Sequence, residues 1–134
     1  MTYVLDASAA AAFVLPDEVP SDDLAASLAN DDAIVPANWP AEVVNTVLSA
    51  RRSRRIGAEE CAALLASIAG FAVALEPPSM ERTAGPVATL AQERALTVYD
   101  AAYLELAIRR GVPLATLDAA LARAAREASI AVIE

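Results

Sequence analysis

Five short apolar, β-prone runs recur along the chain: Tyr3–Leu5, Ala33–Val35, Ala72–Leu75, Leu114–Thr116 and Ile130–Ile133. Runs that are apolar throughout, without polar alternation, are the pattern of strands covered on both faces, as in a parallel sheet. Parallel neighbours need crossover connections, and the intervening segments have the length and punctuation of helices. Ser8–Leu15 stops at Pro16, and Ser21, followed by Asp22 and Asp23, is a good N-cap for a helix reaching about Asn30. Pro40–Arg54 carries Val43, Val44, Val47 and Leu48 on one face, and Gly57 separates it from Glu59–Ala69. Met80–Glu93 contains Gly85-Pro86, which should kink or break it, and Asp100–Arg109 ends at Gly111-Val112-Pro113 before the helix Ala119–Ala128. With no repeat, linker or low-complexity tail, the expectation is one three-layer α/β domain over residues 1–134.

The missing residue types narrow the chemistry. The chain contains no histidine, and all 10 of its basic residues are arginine. A Ser-His-Asp triad, a Cys-His pair and His-containing zinc sites are thereby excluded, as are a P-loop lysine and a Schiff base. Arginine binds phosphate but is a poor proton acceptor. Chemistry must therefore rest on carboxylates, hydroxyls, backbone and borrowed metal. A net charge of −8 opposes bulk attraction to nucleic acid, so a local positive patch or bound cations would have to overcome it. The single cysteine, Cys61, cannot form an internal disulfide and sits in a helical run as core filler. Asp6 precedes the apolar run Ala7–Leu15, which has no basic lead and is too short to span a bilayer, so the expected location is the cytoplasm.

Doubly wound sheets bind ligands at the carboxyl ends of their strands, beside the topological switch point. Asp6 directly follows the first run, and Asp118 follows the fourth after the spacer Leu117. Asp100 opens a later helix, and Glu42 lies near the start of the helix after the second run. Each has an ordinary alternative. Asp100 and Asp118 are readable as helix N-caps, and Glu42, Asn45 and Ser49 as a solvated helix side. Asp6 resists such a reading, because an acid at the end of a buried strand needs a partner or a cation. A phosphorylated aspartate of the receiver or phosphatase kind would want a lysine, and dinucleotide binding would want Gly-x-Gly-x-x-Gly; both are missing.

Four segments, in order, resemble the PIN-domain ribonucleases, and more narrowly the VapC-type toxins of bacterial toxin–antitoxin pairs. They are Val4-Leu5-Asp6-Ala7-Ser8, Pro40-Ala41-Glu42-Val43-Val44-Asn45, Tyr99-Asp100-Ala101-Ala102-Tyr103-Leu104-Glu105-Leu106-Ala107 and Leu114-Ala115-Thr116-Leu117-Asp118. The resemblance implies a five-stranded parallel sheet of order 3-2-1-4-5 with helices on both faces. It implies that Asp6, Glu42, Asp100 and Asp118 are catalytic acids holding Mg²⁺ or Mn²⁺, with Ser8, Thr116 and Asn45 supporting them. Some members carry a further acid shortly after the last aspartate, where this chain has Ala119 and Ala120. The implied activity is endoribonucleolytic, the implied partners an RNA substrate, a small VapB-type antitoxin and a second copy of the chain. A non-catalytic PIN-fold module and a DNA nuclease are the alternatives. Arg51, Arg52, Arg54 and Arg55 form the densest positive cluster, readable either as RNA contacts or as charge complementing a helix C-terminus. Trp39 is readable either as a base-stacking residue or as a core anchor.

Overall fold

The computed structural model describes residues 1–134. In chain order it contains β1 (Thr2–Leu5), α1 (Ala7–Val14), α2 (Asp22–Asn30), β2 (Asp32–Val35), α3 (Trp39–Arg52), α4 (Ala58–Ala69) and β3 (Val73–Leu75). There follow α5 (Met80–Arg82), α6 (Ala88–Arg94), α7 (Val98–Arg110), β4 (Leu114–Ala115), α8 (Ala119–Glu127) and β5 (Val132–Ile133). The strands form one parallel sheet of order β3-β2-β1-β4-β5, the arrangement the resemblance implied.

The strands are short, and their burial explains why their sequences are apolar throughout. Successive strand residues face opposite sides of a sheet. Tyr3, Val4 and Leu5 are all buried, so both faces of β1 are covered. Helices α1, α3 and α4 pack on one another, while α7 packs on β1, β4, α6 and α8. Leu104, Leu106, Leu114 and Leu121 complete the core. The buried stripe of α3 is Val43, Val47 and Ala50; Leu48 stands exposed, one step around the helix from its expected place. Trp39 is also buried, its ring 6.2 Å from that of Phe71, and its Nε1 has no hydrogen-bond partner. It is a core anchor, out of reach of a base.

The helix ends follow the expected punctuation. Ser21 caps α2 by accepting from the Leu24 amide at 3.1 Å. Gly85 and Pro86 fall in a wide π-type turn, Thr83–Val87, where Gly85 leaves helical geometry and breaks the helix expected over Met80–Glu93. Gly111, at φ 63°, ends α7 in the left-handed conformation that glycine adopts without a Cβ penalty. No helix is long and apolar enough to cross a membrane.

The organisation turns on the seam between β1 and β4. The chain leaves β1 towards β2 and β3, then returns to place β4 on the other side of β1. The main chain of β1 bonds across this seam, with Val4 N–H donating to Pro113 O at 2.9 Å and Asp6 N–H to Ala115 O at 3.0 Å. Leu114 sits at the centre of the seam, paired with Val4 on one side and Val132 on the other, and has no exposed surface. Leu114→Ala should therefore destabilise the fold by about 2–5 kcal/mol, the range for large-to-small changes in a packed core, as read by urea unfolding.

Candidate active site

Asp6 is the first residue beyond β1, and it is 5 % exposed. Its Oδ2 accepts from the Thr116 hydroxyl at 2.5 Å and from the Ser8 hydroxyl at 2.7 Å. Each hydroxyl also accepts a backbone amide from the loop after β4: Leu117 N–H reaches Ser8 Oγ at 3.0 Å, and Asp118 N–H reaches Thr116 Oγ1 at 3.1 Å. The carboxylate, two hydroxyls and two amides thus tie the ends of β1 and β4 together across the switch point. Burial raises the pKa of Asp6, and the hydrogen bonds from Thr116 and Ser8 pull it partly back.

Glu42, in the first turn of α3, is held in the same one-sided way. Its Oε2 accepts from Asn38 Nδ2 at 2.5 Å and from the Tyr103 hydroxyl at 2.6 Å. Tyr103 has no exposed surface, and burial together with the Glu42 carboxylate drives its pKa strongly upward, so it remains a donor. Asp118 takes the N-cap of α8, its Oδ1 accepting from the Leu121 amide at 2.9 Å. Asp100 does not cap α7. Thr97 does that, accepting from the Asp100 amide at 3.1 Å, which leaves the Asp100 carboxylate without a hydrogen-bond donor in the chain.

The four acids share one electrostatic neighbourhood. The pKa of Asp100 is pushed up to about 6, first by burial and then by the charges of Asp118, Asp6 and Glu42. None of the ion pairs in the molecule involves any of the four. Asp6, Glu42 and Asp118 each commit one oxygen to hydroxyl or amide donors, and their other oxygens accept nothing from a side chain. Carboxylates without an ion-pair partner are the kind of oxygen ligand that a hard divalent cation takes. As arranged here, no three of them stand close enough to enclose an ion on their own.

The remaining expected residues divide. Ser8 and Thr116 do contact an acid. Asn45 is exposed and contacts none of them; the polar support of Glu42 comes instead from Asn38 and Tyr103. Both lay at helical spacing from a marked acid, Asn38 four residues before Glu42 and Tyr103 three after Asp100. Asn38 precedes the expected helix start, and Tyr103 in a helix reads as core, so neither stands out by spacing alone. Arg51, Arg52, Arg54 and Arg55 lie at the far end of α3, about 15 Å along the helix from Glu42 at 1.5 Å per residue. Arg55 is occupied by Asp17 at 2.8 Å and Glu18 at 3.2 Å. Other arginines are likewise paired with acids outside the four. Arg109 pairs with Glu105 at 2.8 Å, while Arg82, Arg109 and Arg110 surround Glu76.

A small parallel α/β domain with unpaired acids gathered where its strand order reverses is the architecture of a PIN domain. The PIN-domain family model matches residues 3–127, and the chain belongs to that family. It is 32 % identical over 123 residues to Ribonuclease VapC3 of Pyrobaculum aerophilum, covering 91 % of this chain and 93 % of that one. Among solved structures, PAE2754 of Pyrobaculum aerophilum superposes with a TM-score of 0.69 at 26 % identity, covering 98 % of this chain and 83 % of that chain. Mycobacterium tuberculosis VapC20, a Sarcin-Ricin loop cleaving toxin, gives 0.67 at 16 % identity over 91 % of this chain and 94 % of its own. FitAcB of Neisseria gonorrhoeae gives 0.65 at 14 % identity over 98 % and 96 %. These last two likenesses are of fold.

The raised pKa of Asp100 has a consequence for stability. Between its ordinary value of 3.8 and about 6, the folded chain holds a proton that the unfolded chain has released. Its contribution therefore falls as pH rises through that window and stays low above it. In chelator-treated protein, Asp100→Asn should raise the melting temperature above pH 6 and flatten its fall between pH 4 and 6. Equal melting curves for variant and parent across that range would contradict the electrostatic account.

Proposed function

We propose that this chain is a metal-dependent endoribonuclease, hydrolysing RNA phosphodiester bonds as the toxin of a toxin–antitoxin pair. The observation that carries the reading is the set of four carboxylates at the switch point, unpaired with any cation of the chain, in a PIN domain whose relative is a ribonuclease. RNA is favoured over DNA by that relative's activity.

Asp6, Asp100 and Asp118, with Glu42, would hold Mg²⁺ or Mn²⁺ by their uncommitted oxygens. Mg²⁺ retains several waters and takes only part of its shell from protein, which suits acids that do not close around an ion by themselves. When bound, the cation would lower the pKa of a water and neutralise charge on the phosphate. The chain's own part is to fix the acids. Thr116 and Ser8 hold the Asp6 rotamer, and Tyr103 and Asn38 hold that of Glu42, so neither carboxylate must be reoriented when substrate arrives.

As a toxin of this kind, the chain would pair with a small VapB-type antitoxin and with a second copy of itself, in the cytoplasm. The antitoxin would inhibit by occupying the acidic groove.

With Mn²⁺ supplied, Asp6→Asn should cut single-stranded RNA at least a hundredfold more slowly than the parent while keeping its far-UV circular dichroism. Chelation of the parent should have the same effect. Undiminished cleavage by Asp6→Asn would remove Asp6 from the reaction, and faster cutting of single-stranded DNA than RNA would reassign the substrate.

A further inference from the structure

We propose that the hollow between the carboxyl ends of β2 and β3 and the flank of α7 is a subsite for one guanine base of the RNA, next to the bond that is cut. The inference rests on the nuclease reading above. The hollow encloses about 220 Å³, below the roughly 300–1,000 Å³ of pockets that take drug-sized ligands and on the scale of a single ring system. Two residues join it to the acids. Asn38, which donates to Glu42, is part of its wall, and Tyr99, the residue before Asp100, borders it with 62 % of its surface exposed. Pro77 and Pro78 give it a stiff apolar wall.

Its polar groups are few and convergent. Glu105 is only 7 % exposed, and its Oε1 accepts from Arg109 Nε at 2.8 Å. Its Oε2 accepts no hydrogen bond from the chain. A nearly buried carboxylate with one oxygen unused, set beside a guanidinium, asks for a ligand that donates N–H to the first and offers an acceptor to the second. A phosphate would meet the charges of Glu105 and Glu76, which already offset the neighbouring arginines. A neutral heterocycle meets no such repulsion. Guanine carries N1–H and N2–H₂ donors beside the O6 acceptor on one edge. Adenine and cytosine turn a ring-nitrogen lone pair towards the carboxylate, and uracil brings one N–H flanked by two carbonyl oxygens, one of which faces the carboxylate where guanine brings its second donor. Bases of single-stranded RNA are read in this way, unstacked, with the edge hydrogen-bonded and the face laid on an aromatic side chain. Tyr99 supplies the face.

The test is to cleave a randomised single-stranded RNA pool with the Mn²⁺-loaded protein and sequence the fragment ends. The parent should show guanine enriched at least tenfold at one fixed position beside the cut. Glu105→Gln, which presents an amide in place of the second acceptor, should lower that enrichment about tenfold, and so should Tyr99→Ala through lost stacking. A parent without base preference, or Glu105→Gln with the parent's preference, overturns the proposal. Should Glu105→Gln lose its folded circular dichroism, Tyr99→Ala at its exposed position decides instead. A parent that cuts no RNA refutes the nuclease reading and leaves the subsite to a metal-free binding measurement. A fluorescein-labelled oligouridylate carrying one guanosine should then bind at least fivefold tighter than the same strand carrying inosine, which lacks the N2 donor. Equal affinities overturn the subsite.

Discussion

A buried carboxylate held by two hydroxyls, at the point where a parallel sheet reverses its strand order, is the constraint on which this molecule is built. Asp6 sits beyond β1 with almost no solvent contact and no basic side chain paired to it, a position that costs free energy unless hydrogen bonds compensate it. Thr116 and Ser8 provide that compensation, and the same two hydroxyls accept the Leu117 and Asp118 amides. One network therefore satisfies the acid, shapes the loop after β4 and delivers Asp118 to its cap at α8. Fold and site are not separable here. The hydrogen bonds that close the seam are those that aim the acids.

The second acid repeats the device across a different gap. Glu42 on α3 is held by Tyr103 on α7, and neither helix could shift without breaking a short hydrogen bond to a buried donor. Each fixed acid keeps an oxygen that accepts from no side chain. Around them, Asp100 carries the cost, its pKa pushed up to about 6 first by burial and then by the charges of Asp118, Asp6 and Glu42. A domain of this size gains nothing in stability from such repulsion. Such uncompensated repulsion is what the proposed cation site would relieve, with local instability retained for function.

Much of the fold was legible because parallel strands must be apolar on both faces. Tyr3-Val4-Leu5 and Leu114-Ala115 announced themselves as uninterrupted runs, and Gly85-Pro86 and Gly111 punctuated the helices by backbone chemistry alone. The strand order was not readable from pattern; it came with the four family-like segments, since hydrophobic periodicity does not say which strand neighbours which. At the site, the acids were visible because charge at the end of a buried strand is expensive. Their holders were less so. Asn38 lies just outside the expected helix, and Tyr103 differs from a core aromatic only by a hydroxyl whose partner is 61 residues away in the chain. Asn45 had the right spacing from Glu42 but points from an exposed side of α3. Spacing along one helix cannot reveal what a second helix will bring against it.

The central claim is that the uncommitted oxygens of Asp6, Glu42, Asp100 and Asp118 serve one cation site. Anomalous diffraction from crystals soaked in Mn²⁺ addresses it without reference to turnover. The account predicts a peak at about 2.1 Å from an Asp6 oxygen, shared with at least one of the other three acids. Saturating Mn²⁺ that leaves no peak there, with the four carboxylates unmoved, would contradict it.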